Sequence, residues 1–206
     1  MNAQNKKLVI FDFDGVLVDT LGIVYAINKE IHQDLSIEEY KSFFEGNINF
    51  AVRKDGTFKK FHPNFFDLYD SGSREVMVPD ILKLILKELV ENYILIIISS
   101  THTESIKKIL EREKIAEYFS EILGVDVEKS KIIKINSTLE KYKTLPKDVV
   151  FITDTLGDII EGLKCGVRSI AVTWGYHERE TLKKGKPVAI IDNPTDLINN
   201  IQNILK

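Results

Sequence analysis

Near its start the chain reads Phe11-Asp12-Phe13-Asp14-Gly15-Val16-Leu17-Val18-Asp19-Thr20. In an extended chain the side chains alternate, so Asp12 and Asp14 share one face while Phe11 and Phe13 turn to the other. Two carboxylates this close repel each other unless a cation sits between them or one keeps its proton. Either outcome suits a catalyst, as a bound metal or as an acid poised beside a nucleophile. Two solvated acids in a loop are the plainer alternative. Gly15 then allows a sharp departure of the backbone. Farther along, Ile98-Ser99-Ser100-Thr101 offers hydroxyls, and Thr101-His102-Thr103-Glu104 has the spacing of a capping box opening a helix. Hydroxyls and free N–H groups at a helix start can hold an anion, although such residues also cap many helices without binding anything. Lys129 and Lys131 stand at the mouth of another helix, where positive charge is unfavourable without a counter-anion. Asp154 and Asp158 lie one helical turn apart, the spacing of a metal ligand and a supporting carboxylate. A simple helix cap would also explain one of them.

These residues need a scaffold that gathers them. Leu8 to Phe13, Ile94 to Ile98, Val149 to Thr153 and Ser169 to Thr173 are short β-rich runs ending in polar residues. Helical patterns follow them, which predicts an α/β fold: a central parallel sheet covered by helices. The uninterrupted apolar runs at 94–98 and 149–152 belong in the middle of that sheet. Helices are expected around Ile81 to Val90 behind Pro79, around Ile106 to Leu110, over Ile132, Ile133, Ile135 and Leu139, over Ile159 to Leu163 closed by Gly166, and from Pro194 to the end. Ligands of open parallel sheets bind beyond the carboxyl ends of the strands, which is where the polar clusters fall.

The segment from Leu21 to Val78 breaks the alternation. It lacks a strong strand pattern and holds Phe43, Phe44, Phe50, Phe58, Phe61, Phe65 and Phe66, seven of the 11 phenylalanines. It reads as a small helical insertion with an aromatic core, most of whose rings fasten it to the main body. Gly22 and Gly72 lie near its ends, where a hinge would sit. The expected division is a core of residues 1–20 and 79–206 and a helical cap of 21–78. The length of 206 residues, more than one core of about 100 to 150 residues needs, calls for such an addition.

Composition narrows the partners. With 28 basic and 31 acidic side chains the net charge is -3, so there is no positive surplus to hold a nucleic acid. The longest apolar stretches are about a quarter of the roughly 20 residues a membrane span needs. The single cysteine, Cys165, cannot pair within the chain, and no secretory apolar region is evident, so a reducing cytoplasm is expected.

On these residues the chain resembles the haloacid dehalogenase-like hydrolases, in particular their phosphoglycolate phosphatase-like branch. Asp12 to Thr20 looks like the first motif, Ser99 the second, Lys129 the third, and Asp154 with Asp158 the fourth. The runs Val172-Thr173-Trp174-Gly175-Tyr176-His177 and Ile190-Ile191-Asp192-Asn193-Pro194 with Leu197 are similar to the tail of that branch. The resemblance implies a Rossmann-like three-layer core with a cap between motifs one and two. It also implies a Mg2+-dependent phosphatase acting on a small phosphorylated metabolite through an aspartyl-phosphate. Asp12 would be the nucleophile and Asp14 the acid and base. Ser99 and Lys129 would stabilise the phosphoryl charge, and Ser100 and Gly15 would contact substrate. Mg2+ would be held by Asp12, Asp154 and the Asp14 carbonyl, with Asp158 in support. A monomer or weak homodimer is expected.

Three features depart from the branch. Lys129-Ser130-Lys131-Ile132 replaces the usual Lys-Pro pair; Lys129 fits the spacing to Asp154 better, and Lys131 is the alternative. Thr153 stands where a glycine is usual. The insertion is short, and its Arg53 is a candidate for a substrate anion or for an ordinary surface role. A phosphomutase of the same fold and a non-catalytic phosphate-binding module are the competing readings. A dehalogenase would have no use for an acid at Asp14, and a signalling receiver domain would need neither the cap nor Asp14.

Overall fold

The computed structural model describes residues 7–57 and 62–206, which leaves Phe58 and Phe61 of the aromatic segment outside the described residues. The chain begins with β1 (Leu8–Phe11) and then enters the inserted segment, with helices α1 (Leu21–Ile31), α2 (Ile37–Ser42) and α3 (Phe65–Gly72). It continues through α4 (Asp80–Asn92), β2 (Ile94–Ile98), α5 (Thr103–Arg112), β3 (Phe119–Leu123), α6 (Lys131–Tyr142), β4 (Val149–Thr153) and α7 (Leu156–Lys164). The last part contains β5 (Arg168–Val172), α8 (Arg179–Lys183), β6 (Ala189–Ile191) and α9 (Leu197–Ile204).

The six strands form one parallel sheet in the order β3-β2-β1-β4-β5-β6. Leu8 pairs with Ile94 on one side and Val149 on the other, so β1 is central, and every residue of β1 and β4 is buried. Alternation along each strand divides the core. Val9, Phe11, Leu95, Ile97, Val150 and Ile152 face one layer with Leu86 of α4, Ile106 of α5 and Ile201 of α9. Leu8, Ile10, Ile96, Ile98, Val149 and Phe151 face the other, with Ile135 of α6. The result is the three-layer α/β fold expected from the strand–helix alternation.

The strand order reverses at β1, which makes the crevice beyond the ends of β1 and β4 the topological switch point. Two strands, β3 and β6, and the five-residue α8 escape the sequence pattern. Both strands are sheet edges, β3 only partly buried and β6 three residues long, so neither produces a continuous apolar run.

Within the inserted segment, Val24, Ile27, Tyr40, Phe43, Ile48 and Tyr69 belong to the same buried cluster as Phe11, Phe13 and Leu17. Its rings therefore extend the core of the sheet rather than forming a separate one. Gly72 ends α3 against Ile23, whose Cγ2 lies 2.8 Å from where a Cβ would be, whereas a Cβ at Gly22 would meet nothing.

Candidate active site

Asp12 is the first residue beyond β1, and its N–H continues the ladder to the Ile152 carbonyl at 2.9 Å. The chain then turns tightly, with the Leu17 N–H bonded to the Phe13 carbonyl and the Gly15 N–H to the Val18 carbonyl. Gly15 takes φ +77°, and a Cβ there would lie 2.0 Å from Asp154 Oδ2. Here glycine serves backbone geometry and space at once. Its N–H is committed to Val18, and its missing side chain makes room for the Asp154 carboxylate.

Asp12, Asp158 and Lys131 form the buried charged centre. Lys131 Nζ lies 2.8 Å from Asp12 Oδ2 and 2.6 Å from Asp158 Oδ2, above the Phe151 ring. This replaces the Lys129 expectation. The Lys129 side chain is exposed at the cavity rim, and its carbonyl accepts hydrogen bonds from Asn47 and Asn49. The physical reason is helical phase. Ser130 caps α6, so Lys131 is its first residue and shares a face with the buried Lys134, Ile135 and Thr138. Burial alone would lower the Lys131 pKa, but the Asp12 and Asp158 charges hold it above the ordinary lysine value.

Burial raises the Asp12 pKa well above a normal carboxyl; Lys131 opposes this, and Asp158 and Asp154 add to it. Asp158 is also penalised by burial, yet Lys131 and hydrogen bonds, including one from Thr153 Oγ1 at 2.8 Å, keep it below normal. Thr153, the departure from the usual glycine, thus steadies Asp158.

Asp154 is fully buried at the tip of β4. Its Oδ2 accepts the Tyr176 N–H at 2.7 Å, while its Oδ1 has no hydrogen-bond partner. Burial pushes this carboxyl up to about 7 against the Tyr176 N–H, with Asp158 adding to the rise. Gly175 also closes on it, since a Cβ there would lie 2.3 Å from Asp154 Oδ2. Three buried carboxylates therefore face one ammonium, and one oxygen is left without a partner. A divalent cation fits that donor set, because hard oxygen ligands suit Mg2+ and an unpaired buried polar atom is costly. No group of three His, Cys, Asp or Glu side chains among the described residues could hold a metal by itself, so a backbone carbonyl or water would have to complete the shell.

Asp14 points to a different set of partners. Its Oδ1 accepts from Thr20 Oγ1 at 2.6 Å and Tyr69 Oη at 2.7 Å, and its Oδ2 accepts from Thr101 Oγ1 at 2.6 Å. Because Thr20 gives its only proton to Asp14, the 3.1 Å contact with Tyr176 must have the tyrosine as donor. Burial, followed by the charge of Asp14, raises both phenol pKa values, so both keep their protons.

Thr101 also corrects the capping-box expectation. Its hydroxyl goes to Asp14, and α5 is capped from outside by Asp126, whose Oδ1 accepts the Thr103 N–H at 2.7 Å and the Thr103 hydroxyl at 2.9 Å. Ser99 is buried at the end of β2, and its Oγ accepts the Thr101 N–H at 3.0 Å. Ser100 lines the same cavity. Lys134 Nζ donates to the Ser99 carbonyl at 2.6 Å and the Gly124 carbonyl at 3.1 Å, tying the ends of β2 and β3 together.

The inserted segment closes over this centre. Tyr69 reaches Asp14, and Asn47 Nδ2 also donates to Glu161 of α7. His177 Nδ1 accepts the Leu156 N–H at 2.9 Å, so its proton sits on Nε2 and goes to the Lys41 carbonyl of α2. Arg53, the candidate for a substrate anion, is engaged by Asp34 at 2.7 Å and Glu39 at 3.3 Å. Sequence reasoning missed Tyr69 and Lys134 as contributors, and placed Thr101 among the hydroxyls of an anion site rather than on Asp14. Lys134 was accessible from helical phase; the other two meet Asp14 from distant parts of the chain.

A family model described as haloacid dehalogenase-like hydrolase matches residues 9–172. The chain is 25% identical over 221 residues to a phosphoglycolate phosphatase of Vibrio parahaemolyticus, covering 96% of this chain and 97% of the relative. It is also 25% identical over 212 residues to one from Aquifex aeolicus, covering 96% and 97%. Among solved structures, a haloacid dehalogenase-like family hydrolase from Streptococcus pneumoniae superposes with a TM-score of 0.74 at 22% identity, covering 96% of this chain and 99% of the other.

Proposed function

The chain belongs to the haloacid dehalogenase-like hydrolases, and from that premise we propose that it is a Mg2+-dependent phosphatase of a small phosphate monoester, working through an aspartyl-phosphate. The observation that carries this reading is the buried centre in which Lys131 bridges Asp12 and Asp158 while Asp154 Oδ1 lacks a partner.

In the first step an Asp12 carboxylate oxygen attacks phosphorus. The Asp12–phosphorus bond forms as the bond to the leaving oxygen breaks, and Asp14 supplies the proton that the leaving oxygen takes up. In the second step Asp14 removes a proton from water, which attacks phosphorus and releases Asp12 and inorganic phosphate. Lys131 lowers the negative charge that a carboxylate meets on approaching a phosphate dianion. Ser99 keeps its hydroxyl proton for a phosphoryl oxygen, because its Oγ accepts rather than donates at Thr101. Mg2+, held by Asp12, Asp154 and the Asp14 carbonyl, would supply Lewis-acid stabilisation of the phosphoryl oxygens. Asp158 holds Lys131 in place, and Thr20, Tyr69 and Thr101 aim Asp14.

Phosphate release from a panel of small phosphomonoesters in Mg2+ tests the reading. Asp12→Asn is expected to abolish release with the fold intact by circular dichroism, and excess chelator to stop the wild type. Undiminished turnover in either case would overturn the corresponding assignment. Transfer of the phosphoryl group to a sugar hydroxyl instead of water would make the protein a mutase. Binding of phosphate esters with no transfer at all would make it a phosphate-binding module.

A further inference from the structure

The cavity does not end at the charged centre. It encloses about 420 Å3 and runs from Asp12, Ser99 and Lys131 to a wall of the inserted segment. That is the size range of pockets for drug-sized ligands, so a two-carbon ester would leave much of it to water lying against apolar faces. Tyr40, Phe44, Ile48, Phe65, Phe66 and the core residue His102 line the cavity.

These rings are held by neighbours. Phe44 packs edge-on against Tyr176 at 5.0 Å and Tyr40 at 5.4 Å. Phe66 stands edge-on to Phe65 at 5.3 Å and leans on the His102 ring at 4.9 Å. Phe65 in turn stacks on Tyr69, whose hydroxyl is bonded to Asp14. The aromatic wall is therefore registered to the group that would protonate the leaving oxygen. Phe44, Phe65 and Phe66 are each only half-buried, and all three line the cavity.

We propose that the leaving group carries an aromatic ring, seated against Phe44 and Phe66 while the phosphoryl group lies at Asp12. The proposal rests on the phosphatase reading and narrows its substrate class to phosphate esters of aryl-bearing alcohols. Ring edges and faces held in place by their neighbours favour a flat ring, which takes offset-stacked or edge-to-face contacts that a saturated ring of similar size cannot.

The experiment compares kcat/KM for 2-phenylethyl phosphate, 2-cyclohexylethyl phosphate and phosphoglycolate in Mg2+. The first two share an alkyl leaving oxygen, so intrinsic reactivity does not separate them. Alongside, calorimetry on the wild-type protein with Mg2+ measures binding of the matching non-hydrolysable phosphonates. The phenyl ester is expected to exceed phosphoglycolate by roughly 10- to 200-fold, the range that pocket contacts achieve, and to exceed the cyclohexyl ester as well. Phe44→Leu and Phe66→Leu should each bring the phenyl-to-cyclohexyl ratio towards one. Equal or better turnover of phosphoglycolate overturns the proposal, and so does parity of the phenyl and cyclohexyl esters. Absence of turnover with the phenyl phosphonate still bound preferentially would sink the phosphatase reading and uphold the aromatic seat. Absence of turnover with no binding preference would overturn both.

Discussion

The two lysines at the mouth of α6 offer the sharpest test of the charged centre. In Lys131→Met the chain keeps its length and loses the ammonium that lies 2.8 Å from Asp12 and 2.6 Å from Asp158. Breaking a buried ion pair by removing one partner costs about 3–5 kcal/mol, because the other partner is left buried and charged. Asp12 has an escape, since burial already raises its pKa and it can take up a proton. A loss near the lower end, about 3 kcal/mol in urea unfolding at pH 7, is therefore expected. Removing a preorganised charge from the reacting centre should also lower kcat by roughly 100- to 1000-fold, equivalent to about 2.7–4 kcal/mol of barrier. Lys131 is what opposes the effect of burial on Asp12, so the acid limb of the residual rate profile should move to higher pH. Arginine at this position should restore little, because a planar fork does not replace a compact ammonium between two carboxylates. Lys129→Met removes an exposed side chain and should change stability by no more than about 0.5 kcal/mol. The assay is phosphate release at saturating Mg2+, with folding of each variant checked by circular dichroism. A Lys131→Met protein within tenfold of wild type, or a Lys129→Met protein that loses a hundredfold, would refute the assignment.

Other perturbations address the surroundings of this centre. Tyr69→Phe removes one of the hydroxyls on Asp14, and losing a hydrogen bond of about 1.5–3 kcal/mol to a charged group should lower kcat by roughly 10- to 150-fold with the fold intact by circular dichroism; an unaffected kcat would leave Tyr69 as packing only. Gly157→Ala would put a Cβ 2.3 Å from the Gly46 carbonyl oxygen, a backbone contact that cannot rotate away. That substitution should push the inserted segment off α7, and faster proteolysis of residues 21–78 should accompany reduced turnover; unchanged cleavage would contradict the close approach. Burial, together with the nearby Lys131 charge, pushes the Lys134 pKa down to about 8 from the ordinary 10.5. The unfolded chain then binds more protons between those values, so Lys134 makes stability rise with pH from about 8 to 10.5 and costs the fold its full penalty below pH 8. Relative to Lys134→Met, the wild type should gain roughly 2–3 kcal/mol across that window in urea titrations, and parallel pH profiles would show that the ammonium is not penalised.

Much of the scaffold is written in local pattern. Uninterrupted apolar runs marked β1, β2 and β4, because strands buried on both faces need no polar alternation, and a β-rich run ending in a polar residue marked β5. The edge strands β3 and β6 left no such mark, being half in solvent or very short. Asp12, Asp14, Ser99 and Asp154 were visible as polar residues at strand ends, and the structure brings them to one crevice because a parallel sheet aligns those ends.

Residue types and spacing alone identified the acids and the crevice; they did not decide which groups meet inside it. Lys129 and Lys131 differ by two positions, and only the seating of α6 against β2 and α7 turns the second inward. The signal was present in the helical phase, since Lys131 lies four residues before the buried Ile135. The partners of Asp14 had no comparable signal. Thr20, Tyr69 and Thr101 lie 6, 55 and 87 positions away, and no local propensity relates a tyrosine of the inserted segment to a carboxyl at the end of β1. Gly15 was legible as a place for the backbone to turn and Gly175 only as part of the tail run, and only packing gave both the task of making space for Asp154. Local sequence sets which backbone conformations are cheap, whereas the assignment of a buried proton donor to its acceptor depends on how separate elements pack, and that is settled only when the chain is folded.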